Sequence, residues 1–369
     1  MNSYSTSITL AAALGILAGP ALAELRYSNA SGGDVLLYGQ FSPAYLSFDD
    51  GVNTTDAVVD NGNSNSRVGL LVRQPFDGLE FRFNLETALG FRQSFLVTQG
   101  FEPKGLNWQR TSIRKVDFSL TSPSWGTFSL GQGSMATDGV AGNDLSGVTL
   151  ALSSSIGDTS GAFRFADEAG AVTFRTIAGA FSNFDGGRRG RVRYDTPSFN
   201  GFSLSASYGE EILVSDSELT TQDVALRYDF QNDTMELQAA LGYALVDPGY
   251  GVDDFEDYIG SVSVLFNSGV NLTFGAGKRS RQGQYGYGKI GYLANWLPVG
   301  STALAADLYQ GNDRTVDGSR SDSWGVAAVQ YFDDYNVEAY LAYRSYALDE
   351  PETEYRDASS LFFGARWSF

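Results

Sequence analysis

Ser359-Ser360-Leu361-Phe362-Phe363-Gly364-Ala365-Arg366-Trp367-Ser368-Phe369 closes the chain. Successive side chains of a β-strand point to opposite faces, so Leu361, Phe363, Ala365, Trp367 and Phe369 share one side. The other side carries Ser360, Gly364, Arg366 and Ser368, with Phe362 as the one large apolar exception. A strand of this kind separates an apolar medium from water. About ten residues is also the length that crosses a bilayer at the tilt of a closed barrel. A soluble sandwich alternates too, but rarely ends on an exposed aromatic.

Outward from this strand the same pattern recurs. Alternating runs are read at 34–48, 66–76, 79–91, 110–121 and 126–132. After a long gap they resume at 188–196, 201–209, 220–230, 234–244, 256–266, 270–279, 286–296, 301–310, 322–332, 336–346 and 358–369. Residues 49–65 read as a polar, acidic loop. Alternate connections are short and rich in turn formers, such as Asp77-Gly78, Asn232-Asp233 and Ser268-Gly269. The others are longer and acidic. Short turns at one end and long loops at the other describe an all-β chain forming a transmembrane antiparallel barrel of about sixteen strands. Residues 171–180 form either a further strand or part of the long gap, so the count spans sixteen to eighteen. That many strands enclose an aqueous lumen. Aromatics at strand ends, Tyr38, Phe41, Tyr208, Tyr228, Tyr292, Trp296 and Tyr331 among them, suit the two headgroup boundaries.

Residues 8–23 form the one long uncharged apolar stretch and end Ala21-Leu22-Ala23, so residues 1–23 read as a secretory signal peptide and 24–369 as the barrel domain. Its first nine residues lack Lys and Arg, which is irregular for such a signal. Nothing later reaches the ~18 apolar residues of a spanning helix. Cysteine and histidine are both absent, which removes disulfides, thiolate metal sites, Ser-His and Cys-His nucleophile pairs and the commonest zinc ligand. The chain is therefore expected not to be an enzyme. With 43 acidic and 25 basic residues the net charge is -18, which disfavours nucleic acid as a partner. Dense loop carboxylates at 49–60, 247–257 and 349–357 could hold a Ca2+ ion, although solvated loop charge explains them as well; no defined metal site or other cofactor is expected.

A chain ending on an aromatic after alternating apolar residues resembles outer-membrane β-barrel proteins, in which this ending acts as an insertion signal and the last strand pairs with the first. Phe363, Trp367 and Phe369 would carry that signal. Local wording narrows the resemblance. Ser66-Arg67-Val68-Gly69-Leu70, Asp77-Gly78-Leu79, Ser124-Trp125-Gly126-Thr127-Phe128, Val192-Arg193-Tyr194-Asp195-Thr196-Pro197 and Asn200-Gly201-Phe202 are similar to trimeric general porins, most of all alphaproteobacterial ones. The resemblance implies an outer-membrane homotrimer of a Gram-negative bacterium, surrounded by lipid and lipopolysaccharide and inserted by the barrel-assembly machinery. It implies passive diffusion of small hydrophilic solutes and ions. A channel specific for anions or small organic acids is the nearer rival, and a non-channel barrel the more distant one. Gln132 stands where many relatives have arginine.

In such porins the third loop enters the lumen and narrows it, and residues 133–187 occupy that place. Asp138, Asp144, Asp158, Asp167 and Glu168 would supply the acids of a constriction. Facing them, the inward phase of the early strands carries Arg67, Arg73, Arg82, Lys115, Arg191 and Arg193, with Arg110 and Arg114 nearby. An arginine on the lipid face would cost roughly 2–4 kcal/mol at the bilayer midplane, so this phase places them in the lumen, as pore cations or as scaffold partners of Glu80, Glu86, Asp117 and Asp195.

Overall fold

The computed structural model describes residues 25–369. The expected signal peptide lies outside the described residues. One closed antiparallel sheet of twenty strand segments forms the molecule. Asp34–Phe41 and Pro43–Asp49 are halves of one wall strand, as are Thr54–Asp60 and Arg67–Phe76. Leu25–Ser28 and Thr353–Glu354 only extend neighbouring strands, which leaves sixteen wall strands. Each remaining strand pairs with the next in the chain. The ring closes where Ala358–Ser368 pairs with the first strand, in the register Phe363↔Tyr45 and Trp367↔Phe41. Gly39 and Phe369 exchange backbone hydrogen bonds of 2.9 and 3.0 Å. A barrel closed in this way leaves no edge in hydrocarbon.

Turn chemistry sets the register. Asp77 and Gly78 both have positive φ, 47° and 76°, the conformation that a two-residue hairpin requires. One reading of the sequence needs correction and one open alternative closes. The acidic stretch 49–65 is not all loop, because Thr54–Asp60 pairs with Pro43–Asp49 before the chain breaks inward at Asn61–Asn65. Of the two alternatives for residues 171–180, part of the long loop is the one that holds. Val172–Thr176 pairs with Arg164–Ala166 inside the long loop.

That loop fills much of the lumen. Val148, Leu150, Leu152, Ile156, Phe163, Ile177 and Phe181 pack on Leu46, Phe48, Tyr309, Tyr346 and Phe362 of the wall in one buried cluster. Phe163 stacks on Phe48 at 4.2 Å and Phe181 meets Tyr309 edge-on at 5.3 Å. Phe362, the apolar exception on the inner face of the last strand, is thereby explained: it is 1% exposed beneath the loop. Burying such surface is the main favourable term available to a loop with little regular structure. Outward residues such as Leu241 and Leu308 stay 65% and 67% exposed, as lipid contact demands. Tyr38 and Tyr331 are not headgroup aromatics. The Tyr38 hydroxyl donates inward to Glu86 and Asn84, and that of Tyr331 to the loop carbonyl of Gly147.

Candidate functional site

The loop leaves the wall at the strand Gly126–Ser134 and rejoins it at Arg188–Asp195, neighbours in the sheet. Between those ends it lies along the inner faces of the later strands. Its polar backbone is met by inward side chains: Ser261 Oγ donates to Val140 O at 2.5 Å, Ser263 Oγ accepts from Leu145 N at 2.9 Å, and Asp223 accepts from Thr137 N at 2.8 Å. Deepest is Lys289. Its side chain is fully buried, and its Nζ donates to Asp144 Oδ2 at 2.5 Å and to Leu152 O at 2.6 Å. Beneath the loop, Arg344, Asp307 and Tyr287 form a second buried network.

On the opposite side, against the early strands, space remains. A cavity of about 770 Å³ is bounded by Arg67, Arg114 and Arg188 on the wall and by Asp138, Asp158 and Asp185 on the loop. It shares Asn65, Gln93, Phe95, Arg114 and Arg188 with a second cavity of about 480 Å³ toward the long-loop end. The inward break at Asn61–Asn65 contributes Asn63, Ser64 and Asn65. Gly62 is required there, since a Cβ would lie 2.0 Å from Asp158 O. Glu86 serves two of the three arginines, with Arg114 Nε at 2.6 Å and Arg67 Nε at 3.8 Å.

Burial acts on the loop acids. It pushes Asp158 up to about 6. It pushes Asp185 up to about 7, helped by the neighbouring Asp138 charge and opposed by the hydrogen bonds that Asp185 accepts from Ala141 N and Gly139 N, both 2.8 Å. Desolvation disfavours the carboxylate, and a like charge adds to it.

The residues proposed from sequence divide into groups. Arg67, Asp138 and Asp158 line the larger cavity. Arg191 and Arg193 instead brace the loop's root. Arg191 donates to Ser134 O and Gly131 O and pairs with Asp117 at 2.9 Å, while Arg193 donates to Met135 O and pairs with Asp195 at 2.7 Å. Arg73 and Arg82 lie near the Asp77-Gly78 turn and border neither cavity. Arg82 pairs with its neighbour Glu80. Lys115 sits opposite Glu86 in register and borders neither cavity. Arg110 is held by Leu213 O among the outer loops. Asp144 is neutralised by Lys289. Asp167 and Glu168 lie far out on the loop, bridged to Tyr355 and bonded by Arg356.

Gln132 lines the smaller cavity. Arg188 and Asp185 were missed. Alternation puts Arg188 on the opposite phase from Arg191, yet at the strand's first position it borders the cavity. Asp185 lies just before that strand, where no periodicity applies. Among the described residues no three carboxylates converge as a metal site. Several of the dense loop acids are paired with arginines, Asp257 with Arg279, Asp253 with Arg281 and Glu350 with Arg175.

A closed sixteen-stranded barrel, apolar outside and polar around an inner cavity, defines an outer-membrane channel-type protein. A sequence profile described as Gram-negative porin matches residues 9–350, and the chain belongs to that family. It is a multi-pass β-barrel of the outer membrane. No curated protein matches the chain by sequence. Among solved structures it is similar to an anion-selective porin from Comamonas acidovorans, with 17% identity and a TM-score of 0.61 over 91% of this chain and 100% of that one. OmpT of Vibrio cholerae, in a trimer form, matches at 14% identity and 0.57 over 91% and 99%. OmpF of Salmonella typhi, in complex with daunomycin, matches at 12% and 0.55 over 92% and 99%. At these identities the likeness concerns the fold alone.

Proposed function

We propose that the protein is a water-filled channel for passive diffusion of small hydrophilic solutes and ions, narrowed by the loop between Ser134 and Arg188, and not an enzyme. The observation that carries this reading is the pair of adjacent cavities between the loop and the early strands, the larger with Arg67, Arg114 and Arg188 on one side and Asp138, Asp158 and Asp185 on the other. Opposite charges across a water-filled gap create a transverse field. It favours dipolar and charged solutes and disfavours apolar ones, which must displace oriented water. Charges at the narrowest point also outweigh distant loop charge, screened beyond about 8–10 Å. The channel assembles as a homotrimer in outer-membrane lipid and lipopolysaccharide after delivery by the barrel-assembly machinery. The trimer form recorded for OmpT supports the first part. Liposome swelling tests the function: vesicles containing the protein should admit small sugars at rates that fall with solute size. Swelling no faster than in protein-free vesicles would refute it.

A further inference from the structure

We propose that the outer face of the later strands seats an acyl chain of one phosphorylated outer-leaflet glycolipid, with a phosphate of that lipid on Lys278. This rests on the lipopolysaccharide surroundings proposed above and not on conduction. A groove of about 1590 Å³ crosses the lipid-facing side, floored by Ala276, Gly286 and Gly288 and flanked by Phe274, Leu308 and Trp324. Sheet register brings these together: Ala276 lies opposite Gly286, while Phe274, Gly288, Leu308 and Trp324 form one lateral row. Glycine weakens a strand and gives lipid almost no apolar surface, so inside a strand it often marks the close approach of another group. Two outward glycines already have such a neighbour. A Cβ at Gly260 would lie 2.7 Å from Leu241, and one at Gly288 would lie 3.8 Å from the Phe274 ring. At Gly286 nothing lies within 4 Å of that position, so the floor of the groove is open there.

The charge at one end of the groove selects the occupant. Lys278 borders the groove, exposed, on the same face as Ala276 and at the long-loop end of Val270–Arg279. Long loops lie on the extracellular side of such barrels, so this end meets the outer-leaflet headgroups. Acids on the neighbouring strands are engaged by other groups. Glu256 accepts from the hydroxyls of Tyr243 and Tyr258 at 3.1 and 3.0 Å, Asp257 is held by Arg279, and Asp322 is held by Arg320. Lys278 pairs with no carboxylate among the described residues, on a chain whose net charge is -18. Its long apolar stem can lie along the groove while the ammonium stays at the wet boundary, where it is a point charge suited to phosphate. Gln284, opposite Lys278 in register, and Asn312 beside it add amide donors. A cation and amides at the boundary with an open apolar slot beneath match the order of phosphate, sugar and acyl chain in a glycolipid. A gap left unfilled in hydrocarbon would forfeit dispersion contacts along its whole lining.

Native mass spectrometry of the purified barrel tests this, with lipid A and phosphatidylcholine each titrated in detergent. Wild type should retain one tightly bound lipid A per protomer, in preference to phosphatidylcholine. Gly286→Phe fills the slot where no atom opposes a side chain, and should abolish that retained lipid while the barrel still assembles. Lys278→Gln should raise the lipid A dissociation constant about tenfold, as expected for losing one charge-assisted contact, with phosphatidylcholine binding unchanged. It decides the matter alone should Gly286→Phe not assemble. Wild-type retention of lipid A by both variants would overturn the groove as its site while leaving the barrel in lipopolysaccharide. Protomers that separate in Gly286→Phe with lipid A still bound would place a second copy of the chain in the groove, which also overturns the proposal. A wild-type barrel that retains no lipid A at all would overturn the lipopolysaccharide surroundings beneath it.

Discussion

Replacing Lys289 by methionine should unseat the lumen loop. Lys289 Nζ and Asp144 Oδ2 are 2.5 Å apart, with side-chain exposures of 0% and 6%. Removing one partner of a buried pair leaves the other charge uncompensated, at about 3–5 kcal/mol. Asp144 also borders a small polar cavity of about 210 Å³ through which water can reach it, so the lower end, about 3 kcal/mol, is the appropriate figure. Each ~1.4 kcal/mol is a factor of ten. The seated-to-displaced ratio of the loop should therefore fall about a hundredfold. Hydrogen exchange reads this directly, as faster exchange across residues 140–156 with the wall strands unchanged. Conductance should become noisier, with larger open levels. Because a buried pair can often be replaced by apolar groups of similar volume at little cost, Lys289→Met combined with Asp144→Leu should recover most of the protection. If the single variant exchanged like wild type, or the double variant were no better than the single, the account of the loop's anchorage would be wrong.

Acidification should favour anions. Asp158 and Asp185 titrate at about 6 and 7, so lowering pH from 8 to 5 removes negative charge from the loop face. The zero-current potential in a salt gradient should move toward anions with a midpoint between those values, and Asp158→Asn with Asp185→Asn should flatten the response. Both values lie above the ordinary carboxylate range, so the stability these groups contribute is present in acid and lost as pH rises through 6 to 7. Heat-modifiable gel mobility should accordingly show a loop-seated barrel at least as stable at pH 5 as at pH 8. Leu241→Arg places a charge on the lipid face in the middle of its strand and should cost roughly 2–4 kcal/mol in urea titrations of barrels folded in vesicles, whereas Gln238→Arg, of the inner phase, should cost little. Equal effects would contradict the assigned faces. Gly39→Val should impair closure, because a Cβ there would lie 2.5 Å from the Phe369 ring, and Phe369→Ser should lower the yield of assembled barrel. Wild-type yields of both variants under low expression would count against the seam described here.

The wall was readable from sequence because it obeys one local rule. Alternation and the Asp77-Gly78 type of turn are local features, and the observed strands depart from the expected runs mostly by a few residues at their ends. The first two strands departed most, since the break at Asn61–Asn65 depends on contacts with Leu150, Thr159 and Tyr340 that no local pattern announces. The site was less legible for the same reason. Lys289 and Asp144 meet across 145 residues of sequence, so nothing near either one marks Asp144 as already neutralised. Arg191 and Arg193 have the phase of pore cations, and only the carbonyls of Ser134 and Met135 show that they hold the loop's root. Inward apolar residues such as Leu46, Phe48 and Phe362 broke the polar-inside rule. Those exceptions were the sequence's trace of the loop that covers them.

Cysteine scanning tests the central claim most directly, because the chain contains no cysteine. Gln93 borders both cavities. Gln93→Cys channels in a planar bilayer should conduct ions, and a positively charged methanethiosulfonate reagent should then reduce the current in discrete steps while wild-type channels ignore it. Channels whose current is unchanged after complete modification of Cys at this position would show that solute does not pass between the loop and the arginine wall.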